Sequence, residues 1–355
     1  MIKDKILIFA PYKYDINAGG PSGFIAHNLV NKPNDFFVLS HNISDSFLER
    51  LQRKIYSIIS KDEYFSFYYR MLNAHKYKFI YFHDCVCLQH CLKWIPKNQV
   101  VILQSHSPEL PSQEYQSAFP EKIEYINFLK KAEKNAFERA DIVVFPNEGC
   151  IPLYKEVITP NNEIKFILSG AQKGYSKGDV PSENIIKSDK INLMYIGRRN
   201  EIKGFDIVLN TYREVYQQRK DLNLIIIGKG EKISEDGICD IGFSNNPVGW
   251  YNSIDYLINA NRQSYFDLSI IEALSTGVPI IMSDNYGHKY YENKSPLIHT
   301  YDVQNLNALK NILLGELRKR DFNRKDNQEL YLNHLTDGDY YNRLRDFTLS
   351  LMRGL

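Results

Sequence analysis

The chain has 355 residues, 43% of them hydrophobic and 24% charged, with a formal net charge of +2. This is the composition of a soluble globular protein of about two domains, and its near balance of charge gives no case for general nucleic-acid binding. No run approaches the roughly 18 apolar residues of a membrane span. The five cysteines, an odd number with three crowded together, speak for reduced thiols in a cytoplasmic protein rather than a disulfide framework.

The opening MIKDKILIFAPY has too short an apolar run for a secretory leader, so residues 6–10 are read as a first strand. A loop over 11–21 follows, with Gly19-Gly20-Pro21 as its tight part. Ser22 is placed to cap a helix through Phe24, Ile25, Leu29 and Val30. Strand, glycine loop and helix open a Rossmann-like unit, but G-x-G-x-x-G is absent. Gly19 and Gly20 either supply positive φ in a turn or face an acceptor or diphosphate. Residues 36–40 form the second predicted strand. Residues 44–77 interleave cations (Arg50, Arg53, Lys54, Lys61, Arg70, Lys76) with aromatics. That pattern fits a solvated helix face over core aromatics, or a surface lying on an anionic membrane or a partner.

Residues 79–82 form the third strand. His83, Cys85, Cys87, His90 and Cys91 follow within nine positions, and no second pair lies elsewhere to complete a zinc tetrahedron. Cysteines on a buried helix are the expectation. His106 follows the fourth strand (100–104), at the edge where open α/β sheets bind ligands. A long helix is read at 121–139, then strands at 141–145 and 164–168. The polar stretch 171–190 is the best linker in the chain.

Beyond the linker, INLMYIGRRNEIKGF reads as a strand over 191–196 and a Gly-Arg turn. A helix with apolar Val208, Leu209, Tyr212 and Val215 follows, then a strand over 222–227 closed by Gly228-Lys229-Gly230. This is a βαβ unit of a parallel sheet, and its crossover brings both strand ends to one edge. Arg198 and Lys203 stand there, a planar and a compact cation suited together to a diphosphate. Asp267 or Ser269 is placed to cap a helix through Ile271 and Leu274 that Gly277 ends. Its N-terminus is an anion site by its N–H groups and dipole. An amphipathic helix is read at 302–317. Asp337-Gly338-Asp339 reads as the turn and cap of a last helix that returns to the first domain, not as a metal motif.

GR-x4-KG (197–204), IIIGKGE (225–231) and SYFDLSIIEALSTGVPII (264–281) together resemble the C-terminal half of retaining GT-B glycosyltransferases of family 4. The resemblance implies an α/β fold of two Rossmann-like domains facing a central cleft. It implies an acceptor domain at 1–172 completed by the helix 338–355, and a donor domain at 173–337. It places Arg198 and Lys203 on the donor diphosphate, Glu272 on its ribose and His106 beside its sugar. It adds Gly197, Gly228, Tyr265, Phe266 and Leu268 to the donor contacts, and sets Gly19 and Gly20 toward the cleft. The glutamate that the family keeps by the donor sugar falls on Ser264, and the small residue that follows falls on Asp267.

The activity so implied is retaining transfer from a nucleotide sugar to a glycan, glycolipid or glycoprotein, as in bacterial surface-polysaccharide synthesis. UDP is the favoured nucleotide, with GDP and dTDP as alternatives, and neither metal nor other cofactor is required. The place is the cytoplasm or the inner face of the membrane, with residues 50–78 as a contact surface. Ser264 and Asp267 also motivate a second expectation, a non-catalytic partner subunit with a remnant donor site. A sugar-nucleotide epimerase of the same fold is a third.

Overall fold

The protein is described from a computed structural model, which covers residues 1–40, 51, 54, 64–174, 177, 178, 180, 184–305, 307–319 and 324–354. Arg50, Arg53 and Lys61 of the basic-aromatic stretch lie outside the described residues, as do parts of the linker. The chain divides into two units, Met1–Gly170 with Asp337–Leu355, and Ala171–Thr336.

The first unit holds β1 (Ile2–Phe9), β2 (Phe37–Leu39), β3 (Tyr77–Phe82), β4 (Val100–Gln104), β5 (Ile142–Phe145) and β6 (Glu163–Phe166). They form one parallel sheet in the order β2-β1-β3-β4-β5-β6. Ile6, Ile8, Phe9, Ile80, Phe82, Ile102 and Val144 are fully buried, as both faces of such a sheet demand. Cys85, Cys87 and Cys91 are buried on the helix Cys85–Cys91, and the carboxylate of Asp84 caps it by accepting from Cys87 N at 2.8 Å. All five cysteines are free thiols. The last helix, Asp337–Arg353, belongs to this unit: Asp337 pairs with Lys32 at 2.6 Å and Tyr340 packs edge-on against Phe24.

Two local expectations, both on the first helix, are corrected by the structure. The first helix runs Gly20–Asn28 with Gly19 at its N-cap, one turn earlier than a Ser22 cap requires. Ser22 Oγ instead donates to the carbonyl of Lys13 and accepts from Asp15 N, so it braces the loop. The helix ends before Val30, which is exposed. The helix read at 121–139 is present as Ile123–Arg139, and a further one not read from the sequence, Pro111–Ala118, is tied to it where Glu133 accepts from the Ser112 hydroxyl at 2.8 Å.

The second unit holds β7 (Ile191–Ile196), β8 (Leu222–Ile227), β9 (Ile238–Gly242), β10 (Tyr256–Asn259), β11 (Ile280–Ser283) and β12 (Ile298–Tyr301). Their order is β12-β11-β10-β7-β8-β9, again all parallel. The helix Phe205–Gln218 buries Val208, Leu209, Tyr212 and Val215 on this sheet. Each sheet reverses its winding once, between β1 and β3 in the first unit and between β7 and β10 in the second. Open α/β sheets bind ligands at such a point, beyond the carboxyl ends of the strands.

Candidate functional site

At the switch point of the second unit, β7 runs into Gly197-Arg198-Arg199 and β10 into Ala260-Asn261. The two arginines part company. Arg199 turns inward, its side chain 6% exposed, and grips the buried Asp240 through both nitrogens at 2.5 and 2.8 Å. It also donates to the carbonyls of Gly228 (2.9 Å) and Glu231 (2.6 Å). Burial raises the Asp240 carboxyl, but the hydrogen bonds from Arg199 and from Ile233 and Gly242 N–H outweigh it and hold the group below its ordinary value. Gly228 has φ +149°, and a Cβ there would sit 2.0 Å from the carbonyl oxygen of Gly197. The β7 and β8 loops therefore touch backbone to backbone. Arg198 is exposed on the same loop, and its carbonyl accepts from the Tyr195 hydroxyl at 2.6 Å.

Lys203 and Asp267 lie 3.0 Å apart, ammonium to Oδ1. The other carboxylate oxygen accepts from Asn261 Nδ2 at 2.6 Å and meets Nε2 of the fully buried His288 at 3.1 Å. Burial by itself raises the Asp267 carboxyl. The Lys203 charge and the His288 bond reverse that and hold it far below the usual carboxylate range. The helix behind it spans Leu268–Thr276. Asp267 stands at its N-cap but makes no side-chain cap bond, which corrects the capping expectation: the carboxylate is spent on Lys203, Asn261 and His288. At the start of that helix Ile270 N–H donates to the carbonyl of Asp267 at 3.1 Å, and the N–H groups ahead of it have no intrahelical partner. The turn bearing Lys203 is tied to the β10 loop by Arg262, which pairs with Asp206 at 2.6 Å and donates to Glu201 O at 2.7 Å.

The remaining predicted donor residues flank this network. Ser264 is fully buried, and its hydroxyl donates to Asn285 O at 2.6 Å. Asn285 in turn donates to the carbonyls of Asn261 and Arg262. Tyr265 and Phe266 are buried, Phe266 stacked on Tyr291 with ring centres 5.2 Å apart. Leu268 and Glu272 are half-buried on the first turns of the helix. Beside β9 lies a concavity of about 490 Å³ lined by Lys177, Ile241, Phe243, Ser244, Asn246 and Trp250. Sequence reasoning missed Arg199, Asp240, Asn261 and His288. Nothing in the doubled arginine says which one faces inward, and His288 lies 21 residues from its partner.

At the switch point of the first unit the described side chains that meet are rings, with the Asp84 carboxylate turned to cap its own helix. Gly20 holds φ +62°, the left-handed turn that starts the first helix, while Gly19 is extended at φ −84°. The helix presents Phe24 to His106, ring centres 4.3 Å apart. His106 is half-buried after β4, and its Nε2 lies 2.8 Å from Nδ1 of the buried His83, at the end of β3. His83 also stacks on Tyr81 at 4.7 Å. Burial pushes the His83 ring down to about 3; burial and the His83 neighbour push His106 well below its usual value.

Residues 190–313 match the family model described as glycosyl transferases group 1. An uncharacterized 41.2 kDa protein in the cps region of Klebsiella pneumoniae is 28% identical over 182 residues, 46% of this chain and 51% of that one. The lipopolysaccharide 1,2-N-acetylglucosaminetransferase of Salmonella typhimurium is 22% identical over 232 residues, 59% and 55% of the two chains. The chain thus spans about half the length of these relatives. Anabaena Alr3699/HepE, solved in complex with UDP-glucose, superposes with a TM-score of 0.65 over 98% of this chain and 99% of that one, at 12% identity. The two parallel six-stranded sheets with their helices are the GT-B fold of glycosyltransferases.

Proposed function

We propose that the chain is a glycosyltransferase that takes a sugar from a nucleoside diphosphate and passes it, with retention, to a glycan, glycolipid or glycoprotein acceptor. The observation that carries this reading is the cation pair at the second switch point: exposed Arg198, and Lys203 held by Asp267 beside a helix N-terminus. As the anomeric C–O bond breaks, negative charge grows on the departing diphosphate. Fixed cations and helix N–H groups aimed at that charge lower the barrier without reorganising. An ammonium has three donors. One goes to Asp267, which aims the others. Glu272 accepts from ribose hydroxyls, and the concavity beside β9 seats the base. Serine at 264, where the resembled family keeps a glutamate, leaves the donor sugar without that carboxylate and sets it apart from the commonest one.

The Klebsiella and Salmonella relatives support bacterial surface-polysaccharide synthesis as the setting, and the Anabaena neighbour supports a UDP-sugar. The setting puts the enzyme in the cytoplasm, by the inner face of the membrane that carries its acceptor. Among the described residues no helix is long and apolar enough to cross a membrane. The deciding experiment incubates the purified chain with UDP-, GDP- and dTDP-sugars and measures free nucleotide. One donor should be consumed. If none is consumed, with or without candidate acceptors, the reading fails in favour of a non-catalytic subunit.

A further inference from the structure

At the first switch point, the rings of His83 and His106 are nearly coplanar, 16° apart, with His83 Nδ1 and His106 Nε2 at 2.8 Å. That is the geometry of a straight N–H···N bond lying in both ring planes. Both rings are held neutral by burial, so each carries one ring proton, and one proton lies between them. Two arrangements satisfy this. If His106 donates, His83 must keep its own proton on Nε2. That nitrogen is buried and has no partner among the described residues. If His83 donates from Nδ1, its buried Nε2 is a bare lone pair, and the proton of His106 moves to Nδ1. Orphaned buried N–H groups are rarer in native proteins than under-satisfied acceptors. The flat stack on Tyr81, 12° from parallel, gives a His83 Nε2–H no ring face to point at. The second arrangement therefore wins. His106 is half-buried and its Nδ1 makes no hydrogen bond within the described residues, so its proton is left for a ligand.

We propose that His83 is a positioning residue that fixes His106 as the Nδ1–H tautomer, making its open nitrogen a neutral hydrogen-bond donor for a sugar oxygen. Unpaired imidazole exchanges between donor and acceptor at each nitrogen. A locked tautomer can only donate at Nδ1, and so it accepts a hydroxyl or ring oxygen and rejects a bare N–H or ammonium at that position. The sugar ligand rests on the function proposed above; the tautomer does not.

The test is a long-range proton–nitrogen correlation spectrum of the full chain, labelled isotopically at histidine. The chain has nine histidines, so His106 is assigned as the signal lost in His106→Gln. That signal should show its proton on Nδ1. In His83→Phe, which keeps an aromatic ring in the stack and removes the donor, the Nδ1–H pattern should be lost. His83→Asn, whose amide can donate from a similar position, should restore it. A proton on Nε2 in the unmodified chain, or a Nδ1–H pattern that persists in His83→Phe, overturns the proposal. Should His83→Phe fail to fold by thermal melting, the unmodified chain and His83→Asn still decide. None of these readouts needs turnover, so a chain that consumes no donor would sink the proposed function and leave the tautomer standing or falling by itself.

Discussion

The two sheets reverse their winding in the same way, yet they furnish their switch points with opposite chemistry. The edge of the second sheet is ionic: Arg199 on Asp240, Lys203 on Asp267, Arg262 on Asp206, with Arg198 exposed among them. The edge of the first, among the described residues, sets the rings of His106 and His83 edge to edge, with Phe24 tilted against one and Tyr81 stacked on the other. A parallel doubly wound sheet supplies the position of a site and leaves its chemistry to a few loop residues. The ionic edge suits a ligand part that carries or gains charge. The neutral edge suits one that carries only hydroxyls, where an ion would be an unmatched cost.

The sharpest way to break the contrast is to remove one partner of the most buried pair. Arg199→Ala leaves the Asp240 carboxylate buried without its cation, and should lower stability by about 3–5 kcal/mol. Denaturant unfolding measures it; a loss under about 1 kcal/mol, the range of surface pairs, would show that the pair is solvated. Next come the cations assigned to the ligand. Lys203→Ala and Arg198→Ala should each slow turnover of the donor found in the nucleotide panel by roughly a hundred- to a thousandfold, about 2.7–4 kcal/mol, as for one lost oxyanion donor. Chelation with EDTA should leave the same rate unchanged, because side chains and a helix end meet the charge. Wild-type rates in both variants would remove the diphosphate clamp, and a rate lost to EDTA and restored by Mg²⁺ would move the charge to a metal.

Acid should find the neutral edge before the ionic one. His83 is depressed to about 3 in the fold, against an unfolded value near 6.5. Below the unfolded value the unfolded chain binds a proton that the fold refuses, so this contribution to stability is lost as pH falls below about 6.5. From pH 6.5 to 5 the loss for His83 should be roughly 1.7 kcal/mol, the slope rising from half toward the full 1.36 kcal/mol per pH unit. His83→Phe should flatten that slope. Equal slopes for variant and parent would mean that His83 is not buried neutral.

The same contrast explains what could be read from sequence. Alternating apolar runs and glycine turns revealed β1, β3, β4, β5, β7 and β8, because strands buried on both faces are nearly continuous in Ile, Val, Leu and Phe. β9, β10 and β12 escaped notice: they are short and carry polar residues such as Asp240, Asn259 and Thr300. Arg198 and Lys203 stood out because a cation after a strand is conspicuous. His83 did not, because it lay in a cysteine-rich stretch whose obvious question was metal binding. Ser22 and Asp267 misled for one reason. Both residue types cap helices, but each found a nearer use, in a loop carbonyl or in an ammonium, and no spacing rule announces such competition.

Asp267→Asn makes the smallest change, and it separates the roles open to this residue. Three donors converge on the carboxylate: Lys203 Nζ, Asn261 Nδ2 and His288 Nε2. An asparagine keeps one acceptor and replaces the other with an NH₂ group, which faces at least one donor head-on. The amide of Asn261 can turn over, and His288 can exchange its ring proton, so the fold should survive. What is lost is the charge that aims Lys203. A hydrogen bond to a charged group is worth about 1.5–3 kcal/mol. Because one acceptor remains, the low end applies, and turnover should fall about tenfold. UDP affinity should hold or rise, since a carboxylate near the diphosphate is gone while both cations stay. Lower turnover with undiminished affinity, read by steady-state kinetics and titration calorimetry, identifies Asp267 as the group that positions Lys203. A fall in UDP affinity would mean that the carboxylate holds Lys203 in its binding pose even at rest. Were the residue only a helix cap, asparagine would serve about as well and both quantities would stay at wild type.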